Sequence, residues 1–84
     1  MPALQEDGKD FLYWGYPMHL TFTELRIMRA LTEYRSCEVS ALGAGSAATV
    51  SVHVCAINKK AHAIGGRRLI CKVKGGSYRL CDDI

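Results

Sequence analysis

"TVSVHVCAINKKAHAIGG", residues 49–66, decides the fold of this chain, because it begins with the alternation of a strand but continues with the period of a helix. On a helix, five of its apolar side chains are spaced 4, 3, 4 and 3 residues apart and form one stripe: Val50, Val54, Ile57, Ala61 and Ile64. A strand would scatter these side chains over both faces beyond Val54. The helical pattern is the longer one, so the sequence predicts a helix over about 47–64.

Both ends of this predicted helix carry capping signals. Ser46 can accept a hydrogen bond as the N-cap, and Gly65-Gly66 supplies a C-terminal stop. The side opposite the apolar stripe presents Val52, Cys55 and Lys59, with Ser51, Asn58 and His62 beside them. A polar, adaptable face therefore lies next to basic residues.

A second helix is predicted from "LTFTELRIMRALTEY", residues 20–34. Thr21 and Glu24 have the spacing of a capping box, which starts the helix at Phe22. Apolar residues then recur at helical spacing, with Ile27 and Tyr34 beside them: Phe22, Leu25, Met28 and Leu31. Arg26, Arg29 and Glu33 fall toward solvent, so this is an amphipathic core helix.

The remaining segments predict short strands. Residues 11–14 and 16–20 read as strands around a turn at Gly15, with Pro17 on an edge, and 37–39 can form a brief strand before at most one helical turn. Residues 67–84 read as two alternating segments joined by a two-residue turn at Gly75-Gly76, which is a β-hairpin.

Length and composition limit the classes of protein to consider. The 84 residues suffice for one domain with one core, divided into N-terminal strands (1–20), a helical core (21–66) and a hairpin with a tail (67–84). No run of about 18 apolar residues could cross a bilayer, and no apolar signal segment is present at the start. We therefore expect a cytoplasmic protein without membrane association.

Positive charge is concentrated in the second half of the chain. The net charge is only +3, yet no acidic residue occurs between Glu38 and Asp82. Seven basic residues lie in this interval: Lys59, Lys60, Arg67, Arg68, Lys72, Lys74 and Arg79. Such asymmetry favours a polyanionic partner. On charge alone, a merely solvated basic face is an equal alternative.

The four cysteines do not suggest a metal site. Cys37, Cys55, Cys71 and Cys81 form no CxxC pair and have no closely spaced histidine of the kind that zinc sites use, so neither metal nor cofactor is predicted. We expect reduced thiols packed as small hydrophobic groups. A two-residue hairpin turn also places Cys81 opposite Ile70, which argues against a disulfide within the hairpin.

The predicted elements form a helix-turn-helix followed by a wing: strands, a capped helix, a short connection, a second helix and a basic hairpin. Three segments of the sequence resemble motifs of one protein family and occur in the same order as in that family. "LTFTELRIMRAL" (20–31) resembles the opening helix of the OmpR/PhoB-type winged-helix effector domains of bacterial response regulators, L-T-x-x-E-[FL]-x-[IL]-[LM]-x-x-L. "TVSVHVCAINKKA" (49–61) resembles their recognition helix, and "ICKVKGGSYRL" (70–80) resembles their wing. "WGYPMHLT" (14–21) is similar to the end of their N-terminal sheet. The expected class is α+β: a winged helix-turn-helix with a short N-terminal antiparallel sheet and a C-terminal hairpin wing.

This resemblance implies a transcriptional regulator of a two-component system that binds double-stranded DNA. The recognition helix, about 47–64, would enter the major groove, and the wing, 68–81, would reach the minor groove. The DNA-contacting residues are expected to be Ser51, Val52, Cys55, Ala56, Lys59, Lys60, Lys72, Lys74 and Arg79. A homodimer or tandem binding on DNA is expected because one module buries little surface. RNA polymerase is a further implied partner.

The chain departs from the family pattern in several places. Cys55 and Ala56 stand where the family often has arginine, and only eight residues separate Ser40 from Thr49, about half the usual length. No phosphoacceptor domain precedes the motifs, so we expect an excised or free-standing effector domain.

The outer face of the predicted helix 47–64 is also compatible with two other functions. The apolar character of Val52, Cys55 and Ala56 would also suit a degenerate winged helix that acts as a protein-interaction or dimerisation module. A metal or redox switch at Cys55 or Cys71 is a further alternative.

No catalytic residues are predicted, and His53 is expected to be an ordinary helix residue because no nucleophile or acid is spaced to use it. Trp14 and the tyrosines are expected to fill or border the core, with a base-stacking platform as the alternative.

Overall fold

The computed structural model describes residues 3–43, 45–73 and 75–81. These residues form two small antiparallel sheets, two α-helices and a 3-10 helix. In chain order the elements are β1 (Leu4–Asp7), β2 (Asp10–Tyr13), β3 (Tyr16–Pro17), α1 (Phe22–Tyr34), β4 (Ser36–Glu38), the 3-10 helix (Val39–Leu42), α2 (Ala47–Gly65), β5 (Ile70–Val73) and β6 (Ser77–Leu80). The expected α+β class is confirmed at this level.

The stretch 49–66 is helical, as its apolar stripe predicts. Ser46 caps α2 by accepting a hydrogen bond from the Thr49 amide, and Gly66 ends it in the left-handed conformation with φ 77°. The buried side chains of α2 are Val50, Val54, Ile57 and Ala61, all from the predicted stripe. Burial of this continuous face outweighs the local strand preference of the valines, because helical stability in proteins comes mostly from packing.

Helix α1 begins at Phe22 with the predicted capping box: Thr21 accepts from the Glu24 amide, and the Glu24 carboxylate accepts from the Thr21 amide. Its apolar stripe is shorter than predicted. The buried apolar residues are Leu25, Ile27, Met28 and Leu31, whereas Phe22 and Tyr34 are 75% and 66% exposed. These two are the first and last residues of the helix and extend beyond the core that its middle covers.

The N-terminal sheet has the order β1-β2-β3, with Pro17 on the edge strand as predicted. Trp14 and Gly15 form the turn between β2 and β3, and both have positive φ. Of the aromatic residues expected to fill or border the core, Tyr13 and Tyr78 are buried in it, whereas Trp14, Tyr16 and Tyr34 are exposed and do not fill it.

Strand β3 ends at Pro17 instead of residue 20 because the Asp10 side chain binds the following backbone. The Asp10 carboxylate accepts hydrogen bonds from the amides of His19, at 3.0 Å, and Leu20, at 3.1 Å, and His19 adopts φ 58°. Burial alone would raise the pKa of Asp10, but hydrogen bonds from the backbone and the charge of His19 outweigh it and lower the pKa. A charged Asp10 thus fixes the chain at the entrance to α1.

The second sheet has the order β4-β6-β5, so the brief strand between the helices pairs with the C-terminal hairpin. This pairing fastens the hairpin to the body of the domain.

The hairpin register differs from the predicted one by one residue. Val73 pairs with Ser77 and Ile70 with Leu80, whereas the predicted two-residue turn at Gly75-Gly76 would pair Ile70 with Cys81. Gly75 and Gly76 both have positive φ, which glycine adopts without a steric penalty.

A disulfide joins Cys71 and Cys81, with a Cα–Cα distance of 5.5 Å, and the prediction of reduced thiols at these two positions is wrong. The shifted register pairs Cys71 with Arg79, and Cys81 lies two residues further along on the same face. Strand twist brings such diagonal neighbours close together. Cys37 and Cys55 are free thiols, as predicted, but only Cys37 is packed in the core, whereas Cys55 is exposed.

A partly buried ion pair connects the two α-helices. The Glu24 side chain is 4% exposed, and its Oε1 accepts from the Lys60 ammonium of α2 as well as from the Thr21 amide. Lys60 Nζ also donates to the His19 carbonyl at 2.9 Å. The ammonium therefore holds α1, α2 and the segment before α1 together.

We predict strong energetic coupling between Glu24 and Lys60. In a double-mutant cycle with Glu24→Gln and Lys60→Met, urea unfolding followed by circular dichroism should give a coupling energy of about 1–3 kcal/mol, because either single change leaves a poorly solvated charge unpaired. The matched control is the pair of Glu6 and Arg29, whose side chains are 45% and 48% exposed and 2.9 Å apart. There the coupling should stay below about 1 kcal/mol. Equal coupling in the two cycles would contradict the structural role assigned to Lys60.

Candidate nucleic-acid interface

The exposed face of α2 is a ridge of four side chains, Val52, Cys55, Lys59 and His62, which we call the α2 ridge. Their spacing of 3, 4 and 3 residues places them on one side of the helix, away from the buried stripe. Val52 is 67% exposed. Of the other predicted contact residues, Ser51 is exposed beside the ridge and Ala56 is half-buried.

The hairpin contributes a second basic surface. Lys72 is exposed on β5 opposite Tyr78, whose side chain is buried. Arg79 lies on the central strand β6, is half-buried and is engaged within the fold, with Nη1 3.5 Å from the Leu80 carbonyl oxygen. The predicted contact residue Lys74 lies outside the described residues.

The Asn58 side chain connects the hairpin to α2. Its Oδ1 accepts from the amides of Leu69, at 3.0 Å, and Ile70, at 2.9 Å, while its Nδ2 donates to the Ile70 carbonyl at 3.1 Å. Three hydrogen bonds from one amide side chain fix the start of β5 against the helix. The relative position of the α2 ridge and the hairpin is therefore set by bonds as well as by packing.

Lys60 differs from the other predicted contact residues because its ammonium group serves the fold. Its charge is balanced by Glu24, while the neighbouring Lys59 is exposed, about 100° further around the helix. The sequence grouped these two lysines, and the structure separates them into an internal anchor and a surface charge.

An open groove of about 390 Å³ lies beside the C-terminal half of α2 and is lined by Cys55, Asn58, Lys59, His62 and Arg68. His62 and Arg68 were not among the predicted contact residues. The sequence could have indicated His62 as a contact residue, since it lies one helical turn after Lys59 and therefore on the same face of the helix. Arg68 lines the groove because the chain turns back after Gly66, where α2 ends. Helical periodicity cannot predict where residues after the end of the helix lie.

The free cysteines have different surroundings. Cys37 is buried, and its thiol lies 3.5 Å from the Ala30 carbonyl oxygen. Burial, and secondarily the charge of Glu33, raises the pKa of Cys37, which keeps it a neutral thiol. Cys55 is exposed on the α2 ridge.

Neither a metal site nor a membrane-spanning helix is present within residues 3–43, 45–73 and 75–81. In this part of the chain, no three His, Cys, Asp or Glu side chains come together as a metal site. The same residues include no helix with the length and apolar character needed to cross a bilayer.

Comparison with known proteins adds no assignment: no protein-family model matches the chain, and no curated protein matches it at significant similarity.

We predict that Asn58→Ala loosens the hairpin from α2. Without the side-chain amide, the partly buried backbone groups of Leu69 and Ile70 lose their partners, so the free energy of unfolding should fall by about 1–3 kcal/mol in urea titrations. Amide hydrogen exchange at Leu69 and Ile70 should rise more than exchange in β1 and β2. The control Asn58→Asp keeps the acceptor and should restore part of the protection. Unchanged exchange in Asn58→Ala would refute this role of Asn58.

Proposed function

We propose that this chain is a winged-helix domain that binds double-stranded DNA, with α2 as the recognition helix and the β5–β6 hairpin as the wing. The observation that carries the proposal is the joint placement of the α2 ridge and the hairpin, which Asn58 and the β4–β6 pairing hold together. Residues 39–81 supply this half of the domain and contain basic but no acidic residues.

The order and pairing of the elements support the winged-helix proposal. A three-stranded sheet precedes α1, a short strand and a 3-10 helix connect the two α-helices, and a hairpin follows α2. A helix-turn-helix with a C-terminal hairpin has this order of elements, and a second helix presented in this way can enter the major groove. The three sequence segments that resemble OmpR/PhoB-type effector domains fall on α1, α2 and the hairpin.

The chemistry of the exposed face supports contact with bases through apolar groups and contact with phosphates through lysines. Val52 can meet thymine methyl groups, and Ser51 can form a hydrogen bond with a base edge. Lys59 on the α2 ridge and Lys72 on the hairpin can each neutralise a phosphate. Because Cys55 and Ala56 offer no bidentate donor, we propose that phosphate contacts supply most of the affinity.

The wider biological proposals follow from this function. We propose a cytoplasmic regulator of the response-regulator type that binds adjacent half-sites as a homodimer or in tandem, because a single module buries limited surface. Contact with RNA polymerase remains part of the proposal.

One observation favours a second candidate function, a protein-interaction or dimerisation module. Val52 is 67% exposed on the α2 ridge, next to the exposed Cys55. Phosphate binding does not require exposed apolar side chains at these positions, whereas a protein interface would use them. Sedimentation equilibrium of the chain, measured without and with duplex, separates the two functions. A monomer across the micromolar range that still binds duplex supports the DNA-binding proposal, whereas a dimer that buries this face and excludes duplex supports the alternative.

We predict that duplex affinity depends steeply on salt. In fluorescence anisotropy titrations with a mixed-sequence duplex, log Kobs should fall linearly with log salt, with a slope of about −4 for roughly four to five phosphate contacts. Lys59→Ala and Lys72→Ala should each make this slope about 0.9 less steep and should weaken binding evenly across sequences.

The matched control is Lys9→Ala, which removes an exposed lysine from the turn between β1 and β2. This variant should keep the affinity and the slope of the unmodified protein. A salt-independent affinity, or equal losses in Lys9→Ala and Lys59→Ala, would contradict binding through the α2 ridge.

A further inference from the structure

We propose that the groove beside the C-terminal half of α2 is a phosphate-binding site for one strand of the DNA backbone, with Lys59, His62 and Arg68 as its ligands. This inference rests on the proposed function and deepens it, because it assigns the two halves of α2 to different parts of the duplex. It also adds two residues, His62 and Arg68, to the DNA-binding surface.

Three structural features bring these phosphate-binding residues together. Cys55, Lys59 and His62 follow one another on the α2 ridge at intervals of 4 and 3 residues and line one side of the groove. The left-handed Gly66 then reverses the chain, and its amide donates to the His62 carbonyl at 2.9 Å. Arg68 follows this reversal directly before Leu69, whose amide is bound by Asn58. Arg68 is thus carried on a segment fixed at both ends.

The charges of the groove are available to a ligand. Across residues 3–43, 45–73 and 75–81, no carboxylate pairs with Lys59 or Arg68, whereas Lys60 and Arg29 are bound to Glu24 and Glu6. The five lining residues include one lysine, one arginine, one histidine and no acidic residue. A guanidinium offers a planar pair of donors that matches two phosphate oxygens, and an ammonium adds a point charge.

Helix length explains why a phosphate of the duplex, instead of a base, reaches this groove. Residues 52 and 62 on the α2 ridge are separated by about 15 Å along the helix axis, at 1.5 Å per residue. The major groove is only about 12 Å wide. If Val52 and Cys55 lie against base edges, Lys59 and His62 must already be at the rim of the groove, where the sugar-phosphate backbone runs. The open shape of the cavity suits such a continuous polymer better than an enclosed small molecule.

The inference is tested with Arg68→Gln, Arg68→Lys and His62→Gln in anisotropy titrations of the same duplex over a range of salt concentrations. Arg68→Gln should weaken binding several-fold and make the salt slope about 0.9 less steep, while Arg68→Lys should restore most of the slope because it keeps the charge. His62→Gln should weaken binding by a smaller factor. Lys9→Gln is the charge-matched control outside the groove and should change neither quantity. Since Arg68 is exposed, thermal melts of its variants should match that of the unmodified protein.

The possible results separate this inference from the function on which it rests. If Arg68→Gln binds duplex with unchanged affinity and slope, or if Lys9→Gln has the same effect, the phosphate site is refuted while duplex binding stands. A loss of affinity with an unchanged slope also refutes it, because a lost phosphate contact must alter the slope. If the unmodified protein does not bind duplex at all, the proposed function itself fails. Addition of inorganic phosphate at constant ionic strength should not displace the duplex, and efficient displacement would indicate a site for free phosphate instead.

Discussion

The ion pair of Lys60 with Glu24, together with the buried apolar stripe of α2, sets the rotation of α2 about its own axis, and the exposed surface of the domain depends on that rotation. Glu24 is 3% exposed as a whole residue, and its partner is the Lys60 ammonium, which also donates to the His19 carbonyl. Lys59 and Lys60 are neighbours in sequence, but helical geometry separates them by about 100°. When Lys60 faces inward to Glu24, Lys59 lies on the outer face beside Cys55 and His62.

Asn58 applies a second constraint, between α2 and the hairpin. Its three hydrogen bonds reach backbone groups of Leu69 and Ile70, so the start of β5 is held at a defined height along the helix. The other edge of the sheet is held by β4, which directly follows α1. The hairpin is therefore attached to both helices, and Lys72 lies on β5, whose first residue is hydrogen-bonded to α2. The proposed nucleic-acid surface would therefore be preorganised, which reduces the entropic cost of binding.

Much of the architecture could be predicted from the sequence because it depends on local signals. Capping residues at Thr21, Glu24 and Ser46 mark both helix starts, and the apolar stripe of α2 settles the conflict between its valines and its helical period. The hairpin register could not be predicted, since two adjacent glycines are compatible with both a two-residue and a three-residue connection. That single residue also decides whether Cys81 lies near Cys71, so the disulfide was missed for the same reason.

The candidate site was predicted in part. Helical spacing places Val52, Cys55 and Lys59 on one face, but it does not reveal that Lys60 pairs with a carboxylate 36 residues away. Such a pairing is a tertiary contact without a local signal. Arg68 was overlooked for a similar reason, because its position depends on the chain reversal at Gly66 and on Asn58.

Amide chemical shifts of the ¹⁵N-labelled protein, recorded during titration with a mixed-sequence duplex, test the central claim most directly, namely that the outer face of α2 and the adjoining hairpin contact DNA. The account predicts progressive shifts for residues 51–62 and 68–79, with β1 and β2 almost unaffected. Shifts confined to the N-terminal sheet or to the outer face of α1, or a spectrum that duplex leaves unchanged, would contradict it.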